Sequence, residues 1–187
     1  MLAYLTLANQ LTILRVALTP AFVLAVVYGY LGTALVVFLV AGATDALDGL
    51  IARRTGQRTS LGEWLDPLAD KLLLVTTFVV LTMPGIPLTN HLPLWLTVLV
   101  ISRDVVIVGV VAVVNLAVGP KTFKPSRLGK WATATFIVTT IIVMYFNYLK
   151  RTSIWVDIGI WVSLALTLAS AADYAFRMRR LIGDPHP

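Results

Sequence analysis

The sequence predicts an all-α integral membrane protein with six transmembrane helices, and three observations predict it. Of the 187 residues, 58% are hydrophobic and only 13% are charged, and the mean hydropathy is +0.87. A soluble domain of this size needs more polar surface, so a bilayer must serve as part of its solvent. The apolar residues also fall into runs of about 20, the length that crosses a hydrocarbon core. Finally, the basic residues gather in short stretches between those runs.

The runs cover residues 10–30, 31–53, 65–83, 93–115, 128–148 and 154–176. Pro20 lies inside the first and is expected to kink it. Tyr30 and Gly32 mark a tight first turn. Pro84, Gly85, Pro87 and Asn90 mark the loop after the third run, and Gly119-Pro120 opens the loop after the fourth. No repeat, low-complexity tract or separate soluble portion interrupts the chain, which reads as one membrane domain over 1–187.

Charge orients the bundle. Arg53, Arg54 and Arg58 follow the second run, and Lys121, Lys124, Arg127 and Lys130 lie between the fourth and fifth. Arg177, Arg179 and Arg180 close the chain, whereas residues 84–92 carry no Lys or Arg. The positive-inside rule then puts both termini and both basic loops in the cytoplasm, with Lys150 and Arg151 as the exception. The N-terminus lacks the basic start of a cleavable signal, and the plasma membrane of a prokaryote is the simplest address. The net charge of +6 belongs to these loops, where topology and anionic lipid account for it, and no nucleic acid is expected. With no cysteine, disulfides, thiolate metal sites and thiol nucleophiles are excluded.

The chain holds nine acids, and five of them fall between Asp45 and Asp70. A charged carboxylate at membrane depth costs about 2.5–3.5 kcal/mol on insertion scales, and clustered aspartates repel one another, so a cation must hold them. Asp45 and Asp48 share a face at the end of the second helix, which Gly49, Ala52 and Arg53 continue. Asp66 and Asp70 share a face at the start of the third. The short connection over 54–65 makes the two helices antiparallel neighbours, so four carboxylates can converge. An all-oxygen set without His or Cys suits Mg²⁺, Mn²⁺ or Ca²⁺, and two divalent cations would neutralise four acids and grip a diphosphate. Gly49 and Gly62 leave room for a close approach, Arg53 can take a phosphate by two parallel bonds, and Thr59 can donate a hydroxyl. Pro67 fits a first helical turn or a kink, either of which would aim Asp66 and Asp70. The competing readings are salt bridges from the acids to Arg53, Arg54, Arg58 and Lys71, or the cation site of a transporter or channel. Neither explains the paired acids, the glycines and Arg53 together.

The stretch DALDGLIAR, then eight residues, then GEWLDPLAD resembles the signature of the CDP-alcohol phosphatidyltransferases, D-x-x-D-G-x-x-A-R-x8-G-x3-D-x3-D, at every fixed position. The resemblance implies a six-helix membrane bundle that forms homodimers. It implies that Asp45, Asp48, Asp66 and Asp70 bind two divalent cations, Mg²⁺ or Mn²⁺, and that Asp70 is the general base. It also implies that Gly49, Arg53 and Thr59 hold the head group of CDP-diacylglycerol, helped by Asn9 and Thr12 of the opening NQLTILR segment.

The acceptor is read from ISRDVV in the fourth run and FKPSRLGKWATA at the start of the fifth. Both resemble the eukaryotic-type cardiolipin synthase branch of the family, whose acceptor is phosphatidylglycerol. The alternative is the phosphatidylglycerophosphate synthase branch, whose acceptor is glycerol 3-phosphate. Arg103, Lys124, Arg127 and Lys130 would present cations to the acceptor's phosphate in either case. Arg103 and Asp104 could instead pair structurally. His91 and His186 lack metal-ligand company, most Trp and Tyr read as interfacial anchors, and Asp173, Tyr174, Asn115 and Asn147 read as helix-end residues.

Overall fold

The computed structural model describes residues 7–55, 60–118 and 126–183, with side chains for 10–45, 47, 69, 71–109 and 126–176. Six α-helices follow one another: α1 Leu7–Val27, α2 Leu31–Thr55, α3 Ser60–Thr82, α4 Leu94–Val118, α5 Arg127–Tyr148 and α6 Ile154–Gly183. No strand occurs among the described residues. Three helical stretches there are long and apolar enough to cross a membrane: Gln10–Val27, Arg127–Tyr148 and Ile154–Phe176. Leu31–Asp45 and Lys71–Thr82 are shorter apolar helical stretches. Large apolar side chains face outward on these stretches, among them Ile13, Val36, Val79, Val138 and Trp161, and on α4 at Val105. That distribution suits lipid as the surrounding medium.

Two helices in particular outrun the apolar patterns that announced them, α3 at its start and α6 at its end. α3 begins at Ser60, so Pro67 is an interior residue; of the two expectations for it, the first turn falls and the kink is the one an interior proline fits. α6 continues to Gly183 and takes Arg177, Arg179 and Arg180 into the helix. An apolar run measures the length matched to lipid, whereas the backbone ladder can continue through polar turns beyond it. Pro20 lies within α1, where it leaves the Val16 carbonyl without its usual donor. One residue earlier, the Thr19 hydroxyl donates to the Arg15 carbonyl at 3.0 Å.

The chain divides into two compact units. In the first, formed by residues 1–91 and 143–152, α1 packs along both α2 and α3. Phe22 of α1 meets Phe38 of α2 with ring centroids 6.0 Å apart, and Val26, Ala34, Ala41, Phe78 and Leu81 are buried with them. Helices α1 and α5 end in the same paired bonds. Gly29 N–H donates to the Val26 carbonyl and Tyr30 N–H to that of Ala25; Lys150 N–H donates to Asn147 and Arg151 N–H to Phe146. This closure needs a left-handed residue, supplied by Gly29 at φ 78° in one case and by Lys150 at φ 52° in the other. Asn147 is more than a helix-end residue. It is buried, accepts from Asn90 N–H at 2.7 Å and donates to the Asn90 carbonyl at 2.9 Å, while the Asn90 amide reaches the Arg151 carbonyl at 2.8 Å.

The second unit comprises residues 92–142 and 153–187. Here α4 packs on α6, and Trp95 lies 6.0 Å from Trp161 between ring centroids. Gly159 lets α5 and α6 approach: a Cβ there would lie 3.0 Å from the Thr139 side chain, whose hydroxyl donates to the Gly159 carbonyl and bonds Ser163, both at 3.1 Å. Small residues and hydroxyls at helix contacts are the packing currency of apolar surroundings, where burial from water offers no gain.

Candidate active site

Within the first unit, α1 packs on the two helices that bear the aspartates and brings Arg15 to one of them. Arg15 is 1% exposed, and its Nη2 lies 3.0 Å from Oδ1 of Asp45, whose side chain is 44% exposed. A guanidinium buried this deeply needs a counter-charge, and α2 supplies it with Asp45, the first of its two motif aspartates. One residue before Asp45, the Thr44 hydroxyl turns back to the Ala41 carbonyl at 2.7 Å, which leaves the carboxylate to Arg15. Thr12 is fully buried one turn before Arg15 on α1.

Asp48, Gly49 and Arg53 follow on α2, and Asp66 and Asp70 stand four residues apart on α3. Asn9 lies in α1. The helical placement of these six is described; their side chains lie outside the described residues, as do Thr59 and Lys124 entirely. Among the described residues no three metal-ligating side chains gather. The donor chemistry nevertheless fits a hard divalent cation. Asp45 offers a carboxylate held at one oxygen and substantially open, and the expected companions are oxygen donors only.

Arg15 was missed as a site residue: it stands inside the opening NQLTILR segment, from which only Asn9 and Thr12 were assigned a role. The signal was present: an ionisable residue inside a membrane span is a functional candidate by default, and the rule that singled out Arg103 applies equally to Arg15.

The second unit holds a polar junction on three helices. Arg103 of α4 is 9% exposed and its partner Asp104 16%, and Nη1 donates to Oδ1 of Asp104 at 2.8 Å. Nε donates to the Ser170 hydroxyl of α6 at 3.3 Å, and Nη2 to the Gly129 carbonyl of α5 at 3.5 Å. Arg127 and Lys130, three residues apart at the start of α5, are exposed. Tyr174 is not at a helix end, since α6 runs nine residues further; its hydroxyl accepts from Ser126 N–H at 3.4 Å.

The family described as CDP-alcohol phosphatidyltransferase matches residues 5–169. The chain is 34% identical over 184 residues to a "Probable phosphatidylglycerophosphate synthase" of Mycobacterium tuberculosis, covering 95% of this chain and 83% of that one. It is also 34% identical over 186 residues to the human "Cardiolipin synthase (CMP-forming)", covering 89% of this chain and 59% of the human one. A "CDP-diacylglycerol--glycerol-3-phosphate 3-phosphatidyltransferase" of Bacillus subtilis is 28% identical over 186 residues, with 90% and 92% covered.

Proposed function

The chain belongs to the CDP-alcohol phosphatidyltransferase family and is an enzyme of that class, and on this premise we propose that it makes cardiolipin. In this reading it transfers the phosphatidyl group of CDP-diacylglycerol to a hydroxyl of phosphatidylglycerol and releases CMP. The observation that carries the family chemistry is the complete aspartate signature, with Asp45 held by a buried arginine. The branch rests on ISRDVV and FKPSRLGKWATA. The second reading, transfer to glycerol 3-phosphate, is favoured by the likeness to the mycobacterial relative over 95% of this chain.

Asp45, Asp48, Asp66 and Asp70 would hold two divalent cations, Mg²⁺ or Mn²⁺, which neutralise the diphosphate when bound. The chain's own groups do the rest. Gly49, Arg53 and Thr59, with Asn9 and Thr12, bind the CDP-diacylglycerol head group. Asp70 takes the proton of the acceptor hydroxyl as its oxygen attacks the phosphorus bearing diacylglycerol. The new P–O bond forms as the bond to CMP breaks. Arg15 keeps Asp45 oriented. Lys124, Arg127 and Lys130 meet the acceptor's phosphate, with Arg103 behind them. The same reading makes 1–187 one functional domain with six membrane-spanning helices. The site and both termini lie on the cytoplasmic side of a prokaryotic inner membrane, in a homodimer.

The test offers purified protein CDP-diacylglycerol and Mn²⁺ with phosphatidylglycerol or glycerol 3-phosphate separately, and measures CMP and lipid products. Cardiolipin from the first supports the proposal; phosphatidylglycerophosphate from the second moves only the acceptor. Asp70→Asn should abolish turnover while CDP-diacylglycerol still binds, and substantial residual turnover would remove Asp70 as the base.

A further inference from the structure

The first turn of α5 is built against two ordinary helix rules. Its sequence, Arg127-Leu128-Gly129-Lys130, carries two cations and no acid at the end of the helix where the backbone dipole is positive. It also caps itself only halfway. Ser126 is the N-cap, and its hydroxyl accepts from Gly129 N–H at 2.9 Å. In a capping box the third helical residue returns the favour by reaching back to the N-cap N–H, but that residue here is glycine. The missing bond comes from another helix, because the Tyr174 hydroxyl of α6 accepts from Ser126 N–H.

The glycine is needed for space. A Cβ at Gly129 would lie 3.0 Å from Arg103 Nη2, 3.2 Å from Ser126 Oγ and 3.5 Å from Tyr174 Oη. Arg103 thus comes close to the α5 backbone, where its Nη2 donates to the Gly129 carbonyl, and Asp104 balances a charge that would otherwise oppose the helix end. Its Nε is anchored on Ser170. Arg103 and Tyr174 therefore hold one turn from two sides, from α4 and α6. Both are turned toward the α5 backbone, while Arg127 and Lys130 on that turn are exposed.

We infer that Arg103 and Tyr174 are positioning residues that fix the first turn of α5, so that Arg127 and Lys130 meet the phosphate of the acceptor. The inference rests on the proposed acceptor role of Arg127 and Lys130. It makes Arg103 a support of the acceptor site that acts through the Gly129 carbonyl. It also adds Ser126, Gly129 and Tyr174 to the residues that determine acceptor affinity.

The experiment measures kcat and both KM values on the full chain, with whichever of phosphatidylglycerol and glycerol 3-phosphate is turned over. Thermal unfolding is followed in parallel to show that each variant folds. Tyr174→Phe removes a single acceptor atom and should raise the acceptor KM about fivefold, with the CDP-diacylglycerol KM and kcat within about twofold. Arg103→Lys keeps the charge but loses the planar fork, and should shift the same constant in the same direction. In an Arg127→Ala background, Tyr174→Phe should add little further, because the group it positions is gone. An unchanged acceptor KM in Tyr174→Phe, or equal changes in both KM values, overturns the positioning role. If Arg127→Ala and Lys130→Ala leave the acceptor KM unchanged, the acceptor reading itself fails, and the inference falls with it.

Discussion

Arg15 and Arg103 each sit inside an apolar helix and each pair with an aspartate, yet their surroundings differ. Arg15 joins α1 to α2 across 3.0 Å, and its aspartate keeps 44% of its side-chain surface open. Arg103 pairs at 2.8 Å with the next residue of its own helix, and that aspartate is only 16% exposed. Its other donors go to a serine hydroxyl and a backbone carbonyl on two further helices. A buried ion pair is poor evidence of stabilisation by itself, because desolvation offsets the attraction. What each pair leaves open is more informative. Asp45 is held at one oxygen with much of its carboxylate open, as the proposed metal role requires, whereas Asp104 balances a guanidinium occupied in joining helices.

The sharpest way to break this comparison is to neutralise each acid. Asp45→Asn should lower kcat/KM by about a hundredfold or more, as loss of an oriented charge at a reacting phosphoryl group does. Asp104→Asn should cost less than about tenfold, the scale of one ordinary hydrogen bond, because the amide oxygen can still accept from Arg103. Release of CMP measures both, and equal losses would erase the distinction.

Metal dependence sharpens it further. EDTA should silence the enzyme and Mg²⁺ or Mn²⁺ restore it. At a hundred times its Kd, Mn²⁺ should stabilise the wild-type fold by about 2.7 kcal/mol. Thermal unfolding should show that gain lost in Asp45→Asn and retained in Asp104→Asn. A Mn²⁺ response that survives in Asp45→Asn would separate Arg15 and its partner from the metal site.

Smaller effects test the joining role. Ser170→Ala removes a hydroxyl that Arg103 uses and should lower stability by about 1 kcal/mol, by the same amount with and without Mn²⁺. The two helix closures, which include neither arginine pair, give the scale of a pure backbone effect. Lys150→Gly should stabilise by about 1 kcal/mol and Gly29→Ala destabilise by a similar amount, since only glycine takes a left-handed conformation without steric cost. Chemical or thermal unfolding measures both, and no gain in Lys150→Gly would mean that the lysine side chain compensates for its backbone.

Much of the fold was legible because lipid and water sort residues strongly. The runs at 31–53, 128–148 and 154–176 began within one residue of α2, α5 and α6. Ends were less legible where a helix leaves lipid, as at Ser60 and beyond Phe176, since hydropathy stops reporting there while hydrogen bonding continues. The aspartate pairs were legible because their three- and four-residue spacings are local. Long-range partners were not. Nothing in the sequence joins Asn147 to Asn90, 57 positions away, or Ser126 to Tyr174, 48 positions away.

By itself, the sequence determined a helical, strongly apolar chain, its enzyme family and the spacing of its motif aspartates, because composition, helical period and motif spacing are properties of the chain alone. Only the tertiary structure decided that α1 supplies Asp45 with its counter-charge. It alone turned Arg103 onto the backbone of α5, and gave the α5 start its missing cap from α6. Those choices depend on which helices touch, and a charge or hydroxyl buried away from water must take its partner from whatever the packing brings within bonding distance.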